Sequence, residues 1–309
     1  MTDRWLLDST RRAKAALIEP AVPNPARVGD ALAGGRNNFE ADRRASRVMI
    51  SASPVVSSLV PAMRAFHQRV VRYLVAEAGI RQFLDIGPRL DMSGNTHDVA
   101  QSLATECRIV YAASDPMVLS HARSLAISTA DGAVAVVEAD ESDPAAILPR
   151  AARTLNLDRP VAILLIGTIA FVLDDEPAAE IMRSLVEAVP AGSYVALSHQ
   201  GSDLGPEIFA ATERWNAMSD RPITLRSRGQ LAELLAGLDP VPPGLVPISE
   251  WHPDVSGPHF GHAVPLYGAV ARKRRDAVLR LVVCPSPDLE FGSSDDQNSR
   301  LFLRLGRTE

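Results

Sequence analysis

Cysteine is scarce. Cys107 and Cys284 are the two in 309 residues, and neither belongs to a CxxC or zinc-ligand spacing. That excludes a disulfide framework and a structural zinc site, and it fits a reducing, cytoplasmic setting. The opening Met1-Thr2-Asp3-Arg4-Trp5 lacks an apolar signal core. The longest apolar run, Val161 to Leu173, falls short of the roughly 18 residues that span a bilayer. The chain is therefore expected to be soluble, without a membrane partner. An excess of positive charge is also missing: the formal net charge is −5. The lone basic cluster, Arg272 to Arg275, is too short to track a phosphate backbone, so no nucleic-acid partner is expected. Neither GxGxxG nor HExxH occurs, which excludes a dinucleotide fingerprint and a zinc-protease helix; no metal site is expected. There is no internal repeat.

What is present is an alternating rhythm in a chain that is 46% hydrophobic. Short apolar bursts at 82–87, 108–112, 133–139, 161–166 and 193–198 read as strands. Helical spacing falls at 60–79 and then between the bursts, at about 95–105, 116–127, 144–155 and 177–189. Such alternation predicts an α/β fold with a mostly parallel sheet and helices on both faces, and ligands at the carboxyl ends of the strands. Residues 206–219 and 228–237 read as further helices, 239–247 as a proline-rich stretch and 266–271 as a last strand. Residues 1–24 read as a loose lead-in. Residues 25–47 are rich in Arg, Asn, Gly and Asp, and Gly34-Gly35 breaks any helix there. The expected organisation is an N-terminal lid over 1–47, a core domain over 48–275 and a flexible C-terminal extension over 276–309.

Strand ends supply the candidate site. Asp85 lies in the first burst and Gly87 closes it, where a glycine lets backbone approach a ligand; alternatively, Asp85 bonds loop backbone and Gly87 is an ordinary turn. Asp115 precedes Pro116 and either caps a helix or faces a ribose diol. Asp140 ends the third burst and either meets an adenine amino group or is a solvated loop acid. His199 follows the fifth burst and is the best-placed general base among seven histidines, with a surface role as the alternative.

The stretches Asn24-Pro25-Ala26-Arg27-Val28-Gly29-Asp30 and Leu32-Ala33-Gly34-Gly35-Arg36-Asn37-Asn38-Phe39-Glu40-Ala41-Asp42-Arg43 resemble an actinobacterial family of S-adenosylmethionine (SAM)-dependent methyltransferases long described as a domain of unknown function. The likeness continues through Arg81 to Gly87, Gly94 to Gln101, Gly192 to His199, Trp251 to Asp254 and Tyr267 to Lys273. It implies a Rossmann-like class I methyltransferase fold with a seven-stranded sheet. It also implies SAM as cofactor, a small-molecule substrate, and a binding set of Arg27, Asp30, Asn38, Asp85, Gly87, Asp115 and Asp140. Four positions depart from the family pattern. Gly29 replaces a tyrosine, Gly87-Pro88-Arg89 replaces a Gly-Thr-Gly-like loop, Ala113 replaces an acid, and Ala170 replaces a histidine. Pro88 removes a backbone N–H. Arg89 sets a cation near a sulfonium unless it turns onto the methionyl carboxylate. Ala113 cannot hold ribose hydroxyls, a loss on the order of 1.5–3 kcal/mol. The expectation is weak SAM binding, with Arg89 and His199 as the catalytic candidates. Three activities are open: methyl transfer, a recruited pocket carrying out cyclisation or isomerisation, and a non-catalytic homologue that binds a ligand or partner.

Overall fold

The computed structural model describes residues 18–91, 94–254 and 262–274; the C-terminal extension lies outside them. Five strands run parallel: β1 (Gln82–Ile86), β2 (Arg108–Ala113), β3 (Ala133–Glu138), β4 (Ala162–Ile166) and β5 (Tyr194–Gln200). β8 (Leu266–Lys273) returns antiparallel to β5 and pairs on its far side with β6 (Leu238–Pro240), while β7 (Val246–Pro247) adds a short pairing to β8. The order is β3-β2-β1-β4-β5-β8-β6. This is a Rossmann-like α/β fold. It has eight strands rather than seven, because β6 and β7 lie in the proline-rich stretch, whose composition hides pairing at a sheet edge.

Both faces of the sheet are buried, so the strands read as continuous apolar runs while alternate residues serve different cores. Phe83, Ile109, Tyr111, Leu164 and Ala196 pack with Phe66, Val70 and Leu74 of helix α3 (Val56–Ala76). Leu84, Ile86, Val110, Ile163 and Leu165 face the opposite layer, with Ile147, Ile181 and Leu185. Those come from α6 (Pro144–Ala151) and α7 (Asp175–Glu187), while α4 (Thr96–Leu103) and α5 (Pro116–Leu125) connect the preceding strands. Asp115 and Asp143 accept backbone N–H groups at the starts of α5 and α6, each followed by proline, as first helical turns favour.

The segment 25–47 is more regular than its composition suggests. It forms α1 (Pro25–Leu32) and the beginning of α2 (Glu40–Ala52), with Gly34 and Gly35 in the turn between them. Asn24 caps α1 through bonds from the Ala26 and Arg27 N–H groups, and Pro25 opens it. Helices α8 (Glu207–Met218) and α9 (Arg228–Leu234) follow β5. Among the described residues, no single helix is long and apolar enough to cross a membrane, and no cluster of metal-ligating side chains forms.

Candidate functional site

β1 has β2 on one side and β4 on the other, so the chain reverses its winding direction there and leaves a crevice beyond the strand ends. A cavity of about 240 Å³ occupies that place. Its walls come from α1, from Leu59, Met63 and Arg64 on α3, from the loop Gly87 to Asp91, and from Ala113, Asp115 and Glu141 after β2 and β3. The far wall is Ile166 to Thr168 after β4, with Phe171, Gln200, Trp215, Arg221 and Ile223.

Gly87 forms the floor. Its φ is +75°, and a Cβ there would stand 2.9 Å from Thr168 Oγ1. Thr168 is fixed by donating to the Ile86 carbonyl at 2.6 Å. A side chain at 87 would meet both a strained backbone and a filled space.

Beneath the floor runs a buried polar chain. Asp85 accepts from Thr96 Oγ1 at 2.6 Å. Thr96 lies 2.8 Å from His67 Nε2, and His67 Nδ1 lies 3.5 Å from an Arg89 N–H. Arginine can only donate, so His67 accepts at Nδ1 and donates from Nε2 to Thr96, which donates to Asp85. Burial holds the His67 pKa below its ordinary value, with Asp85 opposing that shift. His67 is therefore neutral, and Asp85 reaches the cavity through three residues rather than directly. Arg89 stands at the end of the chain. Its pKa is lowered by burial, and its Nη2 is buried without a hydrogen-bond partner. A second buried polar atom of the cavity wall, Gln200 Oε1, is likewise unpartnered. One offers a donor and the other an acceptor, a costly arrangement unless a ligand completes both.

The remaining sequence candidates fall into two groups. Asp30 and Asp115 line the cavity, although Asp115 also caps α5 by accepting from the Met117 and Val118 N–H groups. Asp30 accepts from the Asn37 N–H and from Asn38 Nδ2, both at 2.8 Å. Arg27, Asn38, Asp140 and His199 are not part of the cavity wall. Arg27 is buried in an ion pair with Asp42 at 2.9 Å and donates to the Glu19 and Val22 carbonyls. Asn38 closes the Gly34–Gly35 turn onto Asp30. Asp140 folds back onto the Ser142 N–H and hydroxyl.

His199 is fully buried. Its Nε2 accepts from Arg226 at 3.0 Å, which leaves Nδ1 to donate to the Gln200 carbonyl. Burial pushes its pKa down to about 4. A ring with both nitrogens committed inside the protein cannot serve as general base for a cavity ligand.

Several cavity residues escaped the sequence reading, Thr168, Arg221 and above all Glu141, as did His67 and Thr96 in the polar chain behind Arg89. Glu141 follows Asp140 directly, and strand-end position alone could not choose between neighbouring acids. Its Oε1 accepts from the Ser114 N–H at 3.1 Å. Its Oε2 accepts from the Ser114 hydroxyl at 2.9 Å and from Arg221 at 3.3 Å. Arg221 in turn lies over the Phe171 ring, 5.2 Å from its centre.

The fold has counterparts among solved structures. A crystal structure of a DUF574 family protein from Streptomyces avermitilis shares 40% identity with a TM-score of 0.79, covering 82% of this chain and 98% of that one. A candidate methyltransferase from Thermobifida fusca shares 31% identity with a TM-score of 0.75, covering 82% and 96% respectively. A search of curated proteins finds no match. The sequence model described as S-adenosyl methyltransferase matches residues 11–274, and this chain belongs to that family.

Proposed function

We propose that the cavity binds SAM and that the protein transfers its methyl group to a small, largely apolar molecule. The observation that carries the reading is the pair of unpartnered buried polar atoms, Arg89 Nη2 and Gln200 Oε1, on the wall of a switch-point cavity floored by Gly87.

The residues present fit such a ligand. Arg89 suits a carboxylate, and Gln200 Oε1 suits an ammonium or hydroxyl donor. Leu90, Ala113 and Val118 form an apolar patch, as the face of an aromatic base requires. Leu32, Met49, Leu59 and Met63 make the wall beside α1 and α3 apolar, which suits a small organic acceptor. SAM supplies an electrophilic methyl group on a sulfonium. The chain holds its donors and acceptors in place and excludes water, with α1 as the covering element. Asp85, linked to Arg89 through Thr96 and His67, offsets the guanidinium charge.

The test is titration with S-adenosylhomocysteine (SAH) by ligand-detected NMR. Binding in roughly the high micromolar range is expected, about −5 to −6 kcal/mol. Arg89→Gly should weaken it about tenfold or more, as loss of a charged hydrogen bond does.

A second reading is a recruited pocket without methyl transfer, and the buried position of Arg89 in the cofactor loop favours it. It expects the opposite result: Arg89→Gly tightens SAH binding and removes the native activity. Absence of SAH binding by the wild-type protein would sink the first reading.

A further inference from the structure

We propose that Glu141, presented together with Ser114, takes over the task of the acid missing at position 113 and holds the ribose hydroxyls of the cofactor. The inference rests on the SAM reading of the cavity. Three observations carry it. Ala113 and Glu141 line the same cavity. Glu141 is hydrogen-bonded to both donors of Ser114, the residue next to Ala113, so its carboxylate lies over the end of β2 although its backbone follows β3. Finally, Glu141 is mostly buried, with its side chain 12% exposed; a carboxylate is costly to bury unless its acceptor sites are used.

The hydrogen-bond inventory leaves room for a ligand hydroxyl. A carboxylate has about four acceptor sites. Ser114 N–H, Ser114 Oγ and Arg221 take up three. One site remains on Oε1. Glu141, which lines the cavity, thus keeps an acceptor site for a ligand hydroxyl, while Ser114, which is not part of the wall, holds the carboxylate in place. Arg221 balances the carboxylate charge from the other side, so an additional acid would be unwelcome. The exchange is electrostatic: a carboxylate delivered from the β3 loop disfavours a second one at 113, where alanine stands.

The experiment compares SAH with its 2′,3′-dideoxyribose analogue by ligand-detected NMR titration. Four proteins are used: wild type, Glu141→Gln, Ala113→Asp, and the double variant. Wild type is expected to prefer SAH by tenfold or more. Glu141→Gln should weaken SAH binding about tenfold while changing the analogue's affinity less than about twofold. Ala113→Asp alone should give no gain, because two carboxylates would crowd one site; in the Glu141→Gln background it should restore SAH affinity. Equal weakening of both ligands by Glu141→Gln would show that Glu141 only pins the β2 loop and would overturn the proposal. So would a gain from Ala113→Asp alone, which would mean that the ribose position lacks an acid. If wild type bound the analogue as well as SAH, the ribose contact would fail while the SAM reading stood. If it bound neither, both would fall.

Discussion

At the scale of single residues, parity decides function. His199 and Gln200 are neighbours at the end of β5, and alternation sends one into the protein and the other to the cavity wall. Sequence position identifies the strand end but not the parity, since a one-residue offset reverses the face. Asp140 and Glu141 repeat the lesson after β3. The buried His199 has a measurable consequence. Its pKa is near 4 in the folded protein, against about 6.5 unfolded. Between those values the unfolded chain binds the proton and the folded one does not. Stability therefore rises with pH across that window and is lost as pH falls from 6.5 toward 4, by about 3 kcal/mol in full. His67 and His97 are lowered by burial too and act in the same direction. Urea unfolding at pH 4.5 and 7 should show the slope, and His199→Gln should remove its share. An unchanged slope in that variant would contradict the assignment.

At the scale of elements, the specific N-terminal motif turns out to hold itself together. Asp42 on α2 accepts from the Asn24 N–H, the Arg27 guanidinium and the Phe39 N–H, tying α1 to α2. Asp30 gathers Asn37 and Asn38 around the intervening turn. Gly35 is required there because a Cβ would overlap the Asp30 carboxylate. Gly35→Ala is expected to displace the turn, lowering the melting temperature by several degrees, as a loss of about 1–2 kcal/mol does. It should also weaken SAH binding through α1, whereas Gly29→Ala, inside α1 where a Cβ meets nothing within 4 Å, should keep or slightly raise stability. Comparable melting of the two variants would refute the packing argument. The alternation of strands and helices was legible from residue 82 onward because apolar runs and their closing glycines state it directly. The helices α1 and α2 were not, because Arg, Asn and Asp serve there as internal ligands of a turn and read as loop composition. Asn24-Pro25 was the available signal, a cap followed by a first-turn proline. Of the cavity, Gly87, Arg89 and the two aspartates Asp30 and Asp115 were legible. Glu141, Thr168 and Arg221 reach their places only through tertiary packing.

At the scale of the whole molecule, the cavity draws its walls from far apart in the chain, from Asn24 to Ile223, with the ends of β1, β2 and β4 between them. A bound ligand touching these walls rewards only states in which all of them are assembled. Partial openings that peel α1 away from the sheet would forfeit that reward, even with the core intact. Proteolytic nicking reports such openings. A protease that cuts the Gly34–Gly35 turn from an opened state should therefore be slowed in proportion to occupancy, about tenfold at a ligand concentration ten times Kd. Cleavage in the connection between α5 and β3, where Ile127 is 78% exposed and no residue lines the cavity, would serve as the internal reference. On the proposed cofactor reading, occupancy of the cavity would shelter the Gly34–Gly35 turn, so that susceptibility to cleavage there would follow cofactor supply.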